Sequence, residues 1–354
     1  MMRKNIIIED LEDIYSRNID WEMFRGSTVL ITGANGMLAS YFTFMLMWLN
    51  DCKGFGIRIL AQVRSEERFF KRFGKAGRSE NVRVITSPVT EKLQIDEDIS
   101  FIIHAASLAS PQYYDVCPVD VLSPNVLGTY HLLELAAEKK VKCFFMFSTG
   151  DVYGKISGRK LICESDLGLL DPLDIHSCYS ESKRMAETIC ISFMKQYSVP
   201  VKIARIWHTY APTMDICNDP RVYASFMRNV FLGEDIVIKS DGLGMRSFCY
   251  IADAIAGFFT IITKGTAGEA YNVCNTEQFV TIRELARILA SLRTDIALNV
   301  SYKKRSTDEH YVENTAIGDA APDNAKLKSL GWDTKYSIRE GFSRVLDYIT
   351  AMNK

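Results

Sequence analysis

The sequence has 354 residues, of which 47% are hydrophobic and 24% are charged, and its formal net charge is -1. This composition is typical of a globular protein with a substantial core, and so small a net charge gives no reason to expect nucleic-acid binding. The most apolar run, at 41–50, is too short to span a membrane, so we expect no membrane insertion. The nine cysteines are scattered without a C-x-x-C pair, which predicts reduced thiols, a cytoplasmic location and no bound metal.

A glycine-rich turn follows the first predicted strand. In STVLITGANGMLASYFTFMLMWLN (27–50), an apolar β-type run leads into a Gly-Ala-Asn-Gly turn and then into a helix-period apolar stretch. Gly33 permits the sharp turn, and Gly36 lets the backbone approach a pyrophosphate at the helix N-terminus. The small Ala39 allows the strand and the helix to pack closely. The residues expected to bind a dinucleotide here are Gly33, Asn35, Gly36, Met37 and Leu38.

The second predicted strand, IRILAQV at 57–63, ends without an acidic residue. In dinucleotide-binding folds an acidic side chain near this point holds the ribose 2′-hydroxyl of NAD, whereas an arginine accommodates the 2′-phosphate of NADP. Here Arg64 follows the strand. If Arg64 contacts the cofactor, NADP is as plausible a cofactor as NAD. Alternatively, Arg64 is a solvated residue at the start of a charged helix.

Strands and helices continue to alternate further along the chain. ISFIIHAASLASPQYYD (99–115) is typical of a buried strand, and it ends in His104-Ala105-Ala106, where small residues let the backbone approach a flat cofactor. SPNVLGTYHLLELAAEKKVKCFFMFST (123–149) is typical of a helix followed by another buried strand. This alternation predicts an α/β fold of the Rossmann type, with a doubly wound parallel sheet covered by helices on both faces.

Four polar side chains are predicted to lie around the end of the strand at 143–147. FSTGDVYG places Thr149 and Asp151 at the carboxyl edge of the sheet, where such folds bind ligands. YSESK places Tyr179 and Lys183 one turn apart on one helix face. A lysine ammonium near a phenol lowers the phenol pKa, so we expect Tyr179 to act as a base, with Thr149 bonded to the same substrate hydroxyl.

With these motifs in order, the sequence resembles the extended short-chain dehydrogenases/reductases of the NAD-dependent epimerase/dehydratase family, which modify nucleotide sugars. The resemblance covers roughly residues 26–345 and rests on TGANGMLA, HAASLASPQYY, NVLGTYHLLELA, FSTGDVYG, YSESK, ARIWHTYAP, DPRVYASFMRNVFLGEDIVI and GLGMRSFCYIADA. The sequence is most similar to the UDP-glucuronate decarboxylase subgroup. That subgroup has a similar Ala-Ser-Pro segment followed by a tyrosine, here Tyr113 or Tyr114, and an arginine before an F-x-Y strand, here Arg246.

The resemblance implies a role for each matching position. Tyr179 is expected to be the base, Lys183 its partner and Thr149 the orienting hydroxyl, with Asp151 as a fourth catalytic side chain. Beyond the glycine turn, the residues implied to bind NAD or NADP are Arg64, His104, Ala105, Ala106, Asn125, Tyr179, Lys183 and His208. The residues implied to bind a nucleotide-diphosphate sugar are Ser110, Tyr114, Arg221 and Arg246.

Several positions depart from the pattern of that family. Asp151 stands where decarboxylases and dehydratases have Glu, so its carboxylate reaches one methylene less far. Gly150 replaces the Ser of decarboxylases and the Asp of dehydratases, which removes a side chain that could act as an acid. His208 replaces an Asn, Ala211 a Gly and Pro88 an adenine-contacting Asp. These differences leave the reaction and the cofactor type open.

Three reactions can follow from a transient C4 ketone. The ketone places the C6 carboxylate of a uronic acid β to a carbonyl, so CO₂ is lost readily. Dehydration needs a base for C5–H and an acid for the C6 hydroxyl, whereas epimerisation needs only the Tyr, Lys and Thr set. Gly150, Asp151, Arg246 and the Ser-Pro-x-x-Tyr segment favour decarboxylation. Epimerisation and dehydration remain alternatives, as does a nucleotide-binding regulator without turnover, against which the intact catalytic set argues.

The predicted organisation is an N-terminal extension at 1–25, a cofactor domain at 26–205 with a returning segment near 240–260, and a substrate domain built from 206–239 and 261–354. The helices near 125–139 and 180–196 are apolar on more than one face. In the family these helices pair across a two-fold axis, so the resemblance implies a homodimer.

Overall fold

The computed structural model describes residues 5–156, 158, 160–303 and 320–352. A 3-10 helix at Gly150–Tyr153 and a π-helical turn at Pro124–Gly128 lie close to the predicted site. The α-helices of the described residues are α1 Ile6–Ser16, α2 Met37–Lys53, α3 Glu66–Phe73, α4 Pro118–Ser123, α5 Thr129–Lys139, α6 Cys178–Tyr197, α7 Val222–Leu232, α8 Ile251–Lys264, α9 Ile282–Ala290, α10 Ala325–Lys328 and α11 Ile338–Met352.

The strands follow the same alternation that the sequence predicts. Most strands of the main sheet are short apolar runs that are almost entirely buried, as parallel strands covered on both faces require. The strands are β1 Thr28–Thr32, β2 Arg58–Val63, β3 Val82–Thr86, β4 Phe101–His104, β5 Cys143–Thr149, β6 Leu161–Ile162, β7 Val201–Ile206, β8 His208–Tyr210, β9 Ile236–Ile238, β10 Met245–Tyr250, β11 Ala270–Val273, β12 Phe279–Thr281, β13 Val300–Tyr302 and β14 Ala321–Pro322.

Within the described residues, the main sheet has seven parallel strands in the order β11-β7-β5-β4-β1-β2-β3. The chain builds β1, β2 and β3 toward one edge and then β4, β5, β7 and β11 toward the other, so the strand order reverses between β1 and β4. Ligands in such sheets bind at the carboxyl ends of the strands beside this reversal. The predicted Rossmann-type fold is confirmed.

Hydrophobic side chains pack on both faces of the main sheet. On one face α2 and α8 meet, with the rings of Phe42 and Phe259 stacked 4.2 Å apart between them. On the other face α5 and α6 pack over the sheet, and they bury Leu133 and Phe193 against it. The two layers hold the carboxyl ends of β1, β4 and β5 in fixed positions.

The N-terminal segment packs into this core. Helix α1 contacts α2, α8 and α11, and it buries Asp10 completely. The Asp10 carboxylate accepts hydrogen bonds from the hydroxyls of Tyr41 at 3.0 Å and Tyr250 at 2.7 Å, and it pairs with Arg344 at 2.7 Å. Burial raises the pKa of Asp10 to about 6, although Arg344 and the tyrosines favour the charged form. We call these four residues the Asp10 cluster.

Smaller sheets lie beside the main one. They have the orders β12-β10-β8, β13-β9 and β14-β6, and the first of them carries His208 and Arg246. Strand β11 forms an edge of the main sheet, although it falls in the range predicted for the substrate domain. Among the described helices, none combines the length and the apolar character needed to cross a bilayer.

Candidate active site

Gly33 shapes the turn after β1. Its φ of 62° lies in the left-handed region, which favours glycine. Its amide donates a hydrogen bond to the side-chain oxygen of Gln62 at 3.1 Å. A Cβ atom at this position would lie 2.9 Å from the Cα atom of Ala106, so the turn after β1 touches the turn after β4. Only glycine fits at this point of closest approach.

The helix that follows the turn begins without a side-chain cap in the described chain. Gly36 is the N-cap residue of α2, Asn35 precedes it, and Met37 and Leu38 open the helix. Unpaired amides at a helix N-terminus attract and bind phosphate groups. This turn therefore fits the pyrophosphate of a dinucleotide cofactor.

His104 uses both of its ring nitrogens within the protein. Nδ1 lies 2.9 Å from the Thr32 hydroxyl, and Nε2 lies 3.1 Å from the Thr129 hydroxyl. The Thr32 oxygen accepts the amides of Ala105 and Ala106, both at 3.2 Å, so its own proton is directed to His104. Burial lowers the pKa of His104 to about 3. The neutral ring thus orients the Thr32 hydroxyl that binds the turn after β4. Both of its nitrogens have partners within the protein, so neither is available to a ligand.

Asn125 lies fully buried in the π-helical turn between α4 and α5. Its side-chain nitrogen donates to the carbonyl of Val121 at 3.1 Å and to the hydroxyl of Ser182 at 3.0 Å. Its side-chain oxygen has no hydrogen-bond partner among the described residues. A buried oxygen without a partner is costly, and π-helical turns recur at functional sites. Both features favour a ligand contact at Asn125.

Thr149, Asp151, Tyr179 and Tyr114 come together at the carboxyl end of β5. The Thr149 hydroxyl oxygen accepts the amide of Asp151 at 3.2 Å and lies 3.3 Å from its carboxylate. The rings of Tyr114 and Tyr179 stack with their centroids 5.9 Å apart. The structure therefore unites three of the four predicted catalytic side chains with a tyrosine from the predicted substrate segment.

The pKa of the Tyr179 phenol is raised, whereas the spacing of Tyr179 and Lys183 in the sequence predicts a lowered pKa. Burial is the largest cause, and the Asp151 carboxylate adds to it. A hydrogen bond with Thr149 and the positive charge of Arg221 act in the opposite direction but are weaker. In the protein alone, the phenol therefore keeps its proton at neutral pH.

Lys183 is buried one turn after Tyr179 on α6 and donates a hydrogen bond to the carbonyl of Phe147 at 2.7 Å. Burial lowers the pKa of Lys183 to about 8, with Glu187 acting in the opposite direction. Glu187 in turn accepts the Ser148 hydroxyl at 2.6 Å and pairs with Arg205 at 2.8 Å. These contacts fasten α6 to the last residues of β5, so the lysine and the strand end keep one relative position.

Two arginines lie around His208. Arg221 is the N-cap residue of α7, and its Nε lies 2.9 Å from the carboxylate of Asp219. Its charge acts on Tyr179 as well as on His208. Burial, Arg246 and Arg221 together lower the pKa of His208 to about 3, so its ring is neutral. The Nδ1 atom of His208 has no partner within the described residues, which leaves it able to contact a ligand.

Arg64 and Ser110 lie in turns that follow strands of the main sheet. Arg64 is exposed directly after β2. Ser110 follows β4, and its hydroxyl is buried without a partner in the described chain. Gln62, which was not predicted from the sequence, links the glycine turn to the carbonyl of Ser87 beyond β3. A polar residue inside the apolar run IRILAQV was the signal for it.

Sequence comparisons match the chain to known proteins. The sequence model of the NAD dependent epimerase/dehydratase family matches residues 29–274. UDP-glucuronic acid decarboxylase 3 of Arabidopsis thaliana is 33% identical over 319 residues, which cover 88% of this chain and 86% of that protein. UDP-glucuronic acid decarboxylase 1 of Danio rerio is 30% identical over 332 residues, which cover 91% of this chain and 72% of that protein. The predicted class, a nucleotide-sugar-modifying enzyme, is confirmed by these relatives.

Solved structures share the fold. UDP-glucose 4-epimerase of Thermotoga maritima, solved with UDP-glucose, has a TM-score of 0.77 at 20% identity and covers 92% of this chain and 100% of its own. The dTDP-glucose 4,6-dehydratase of Bacillus anthracis, solved with NAD, has a TM-score of 0.72 at 20% identity and covers 92% of this chain and 97% of its own. By its sequence match, its relatives and its fold, the chain belongs to the NAD-dependent epimerase/dehydratase family.

Proposed function

We propose that this protein decarboxylates UDP-glucuronate through transient oxidation of the sugar C4 hydroxyl. The observation that carries the proposal is the buried Tyr179, which has a hydrogen bond with Thr149 and stacks on Tyr114. Arg221, which pairs with Asp219, adds a positive charge that acts on the same phenol and suits a sugar carrying a carboxylate. The similarity to UDP-glucuronic acid decarboxylases supports the same substrate.

We propose NAD as the cofactor, which when bound accepts a hydride from C4 and returns it at the end of the cycle. The amides that follow Gly36 would hold its pyrophosphate, and the unpaired oxygen of Asn125 would make a further contact. NADP is the second candidate, because the exposed Arg64 follows β2, where the ribose 2′ group is read.

Tyr179 and Thr149 act at the C4 oxygen of the sugar in this proposal. The phenolate of Tyr179 takes the hydroxyl proton, and the Thr149 hydroxyl orients the same oxygen. Because the phenol is protonated in the protein alone, the proposal requires Tyr179 to lose its proton when the ligands bind, and the charge of Arg221 favours that loss. Lys183 donates a hydrogen bond to the Phe147 carbonyl and lies on the same face of α6 as Tyr179. It is positively charged below a pH of about 8.

The C4 ketone lies β to the C6 carboxylate of a uronic acid. When the C5–C6 bond breaks, CO₂ leaves and the electron pair moves through C5 onto the C4 oxygen as an enolate. Tyr179 and Thr149 can hydrogen-bond to that oxygen and stabilise its charge. Water supplies the proton that adds at C5, and Tyr179 returns its proton to the C4 oxygen when the ketone is reduced again, so the net change is replacement of the carboxylate by hydrogen.

A substrate panel read by mass spectrometry tests this function. The purified protein is incubated with NAD and, in separate reactions, with UDP-glucuronate, UDP-glucose, dTDP-glucose and GDP-mannose. We expect loss of CO₂ from UDP-glucuronate. Loss of water would indicate a dehydratase, and an unchanged mass with altered retention would indicate a 4-epimerase. Cofactor binding with no product from any sugar would indicate a regulator without turnover.

We also propose that the protein forms a homodimer through α5 and α6. These helices and the turn before α5 leave apolar side chains exposed, and exposed patches of this kind mark interfaces. A second copy related by a two-fold axis would cover both helices at once. Light scattering at micromolar concentration should give the mass of a dimer, and Met185→Glu should give a monomer. The exposed side chains are Leu127, Tyr130, Met185, Ile191 and Tyr197.

A further inference from the structure

The indole of Trp207 fills the space beside Gly150. Gly150 opens the 3-10 turn between Thr149 and Asp151, and Trp207 directly follows β7. A Cβ atom on Gly150 would lie 2.9 Å from two ring atoms of Trp207 and 3.2 Å from a third. Two carbon atoms are best separated by about 3.5 to 4.0 Å. A residue with a side chain therefore fits at position 150 only if the indole moves.

The indole is held in place by hydrogen bonds and stacking. Its Nε1 atom donates to the side-chain oxygen of Asn272 at 3.2 Å, and the Tyr153 hydroxyl donates to the same oxygen at 2.7 Å. The rings of Trp207 and Tyr153 stack with their centroids 6.0 Å apart. The side-chain nitrogen of Asn272 donates to the carbonyls of Ile162 and Asp323 at 3.1 and 3.0 Å. The ring cannot move aside without disturbing contacts to these separate segments.

We propose that Trp207 determines the reaction specificity of this site by keeping position 150 free of a side chain, an inference that rests on the proposed function. The residues on either side of Gly150 both act on Tyr179, Thr149 through a hydrogen bond and Asp151 through its charge. A side chain between them would therefore lie next to the two residues that act on Tyr179. Trp207 thereby excludes an acidic side chain from position 150.

The two reactions need different groups at this place. Elimination of water from C5 and C6 requires a base for the C5 proton and an acid that protonates the departing C6 hydroxyl. Decarboxylation breaks the C5–C6 bond instead, and its leaving group is CO₂, which needs no proton. Because Trp207 keeps an acid out of position 150, the site favours loss of CO₂ over loss of water.

Thermal unfolding of single and double variants tests the steric part of the proposal. Gly150→Ser should lower Tm by roughly 5 °C in the parent, because it overpacks the contact with the indole. In a Trp207→Leu background, Gly150→Ser should lower Tm by less than about half of the loss that it causes in the parent. Trp332→Leu, at another buried tryptophan, is the matched control and should leave the effect of Gly150→Ser unchanged. Equal losses in all three backgrounds would overturn the proposal.

Product analysis tests the specificity part. The double variant Gly150→Asp/Trp207→Leu should release water from dTDP-glucose or UDP-glucose, whereas the parent and Trp207→Leu alone should not. Absence of water loss from the folded, cofactor-binding double variant would overturn the role in specificity, and so would water loss from Gly150→Asp with Trp207 retained. The parent protein on UDP-glucuronate reports separately on the proposed function, because its failure to release CO₂ would leave the Tm coupling between the two positions unaffected.

Discussion

The Asp10 cluster and the polar cluster around Tyr179 are both buried, but their polar atoms are satisfied in different ways. In the Asp10 cluster the carboxylate has a partner from each of three other elements, namely Tyr41, Tyr250 and Arg344. Among the residues predicted to bind the cofactor or the sugar, Ser110, Asn125 and His208 each have a buried polar atom without a partner within the described residues.

This difference distinguishes a cluster that stabilises the fold from one that can bind ligands. Native proteins pair most of their buried polar groups, so an unpaired group in one place calls for an explanation. A fully paired network stabilises the fold and needs no ligand. We propose that the unpaired groups of the predicted site find their partners in the cofactor and the sugar.

Removing one hydroxyl from each cluster should give opposite results. Tyr179→Phe should lower kcat by about 10² to 10⁴-fold, because it removes the base but keeps the ring. Its Tm and its affinity for NAD should change little. Tyr41→Phe, the matched control, should lower Tm and retain kcat, because it removes a hydrogen bond to Asp10. Substantial turnover in Tyr179→Phe would show that the catalytic base is misassigned.

Removing the Asp10 carboxylate should destabilise the fold strongly. Asp10→Ala should cost about 3 kcal/mol of unfolding free energy, because it leaves Arg344 and two hydroxyls without their shared acceptor. Asp10→Asn, which keeps one acceptor oxygen, should cost less. Urea unfolding of the parent and both variants measures the two losses. A stable Asp10→Ala protein would mean that the cluster does not hold the fold together.

The Asp10 cluster should also make stability depend on pH. The pKa of Asp10 is about 6 in the folded protein and lower when the chain is unfolded, so the folded state binds more protons between pH 4 and pH 6. The contribution of Asp10 to stability is therefore greatest at low pH and is lost as the pH rises through 6, by about 3 kcal/mol in total. Asp10→Asn should lack this loss. Its Tm relative to the parent should rise between pH 4 and pH 7, and a constant difference would contradict the assignment.

The charge of Asp151 should set the pH dependence of turnover. The Asp151 carboxylate helps to raise the pKa of Tyr179, so Asp151→Asn should lower that pKa. Because the phenolate is the active form, the acidic limb of kcat/KM should move to lower pH, by about one unit. Glu181→Gln is a control on the same helix as Tyr179 and should not move the limb. A shift toward higher pH would contradict the proposed arrangement.

The smallest effect is expected at Arg64. An exposed arginine gains little from one ionic contact, so Arg64→Ala should weaken NADP binding by no more than about fivefold. NAD binding should be unchanged, because NAD lacks the 2′-phosphate. Thermal shifts with each cofactor measure both effects. Equal weakening of NAD and NADP would mean that Arg64 contacts another part of the dinucleotide.

The sequence was most informative where function depends on neighbours along the chain. The glycine turn, the end of β5 and the spacing of Tyr179 and Lys183 are local patterns, and they predicted both the fold and the cluster at the sheet edge. The sequence could not reveal that Trp207 fills the space where a Cβ atom of residue 150 would lie, because that contact depends on how β7 lies beside β5. It also misjudged the pKa of Tyr179, since burial depends on packing from several segments.

The role of the N-terminal segment was equally hidden from the sequence. Its helix pattern was visible, but its partners lie far along the chain. The pairing of Asp10 with Arg344 spans 334 positions. The sequence predicted that His104 contacts the cofactor, but it could not show which side chains surround the His104 ring. Its ring is used by Thr32 and Thr129, which the strand order brings to it from separate segments.

The contact between α1 and α11 has a consequence for the order of folding. A ribosome releases the chain from the N-terminus, so α1 emerges long before the residues that neutralise Asp10. Contacts between such distant positions form late and slowly, because a long loop must close first. Until α8 and α11 have been made, α2 is the only one of its three helix partners that can cover the apolar face of α1. Docking of α1 onto α11 should therefore be among the last steps of folding, after the central sheet is complete.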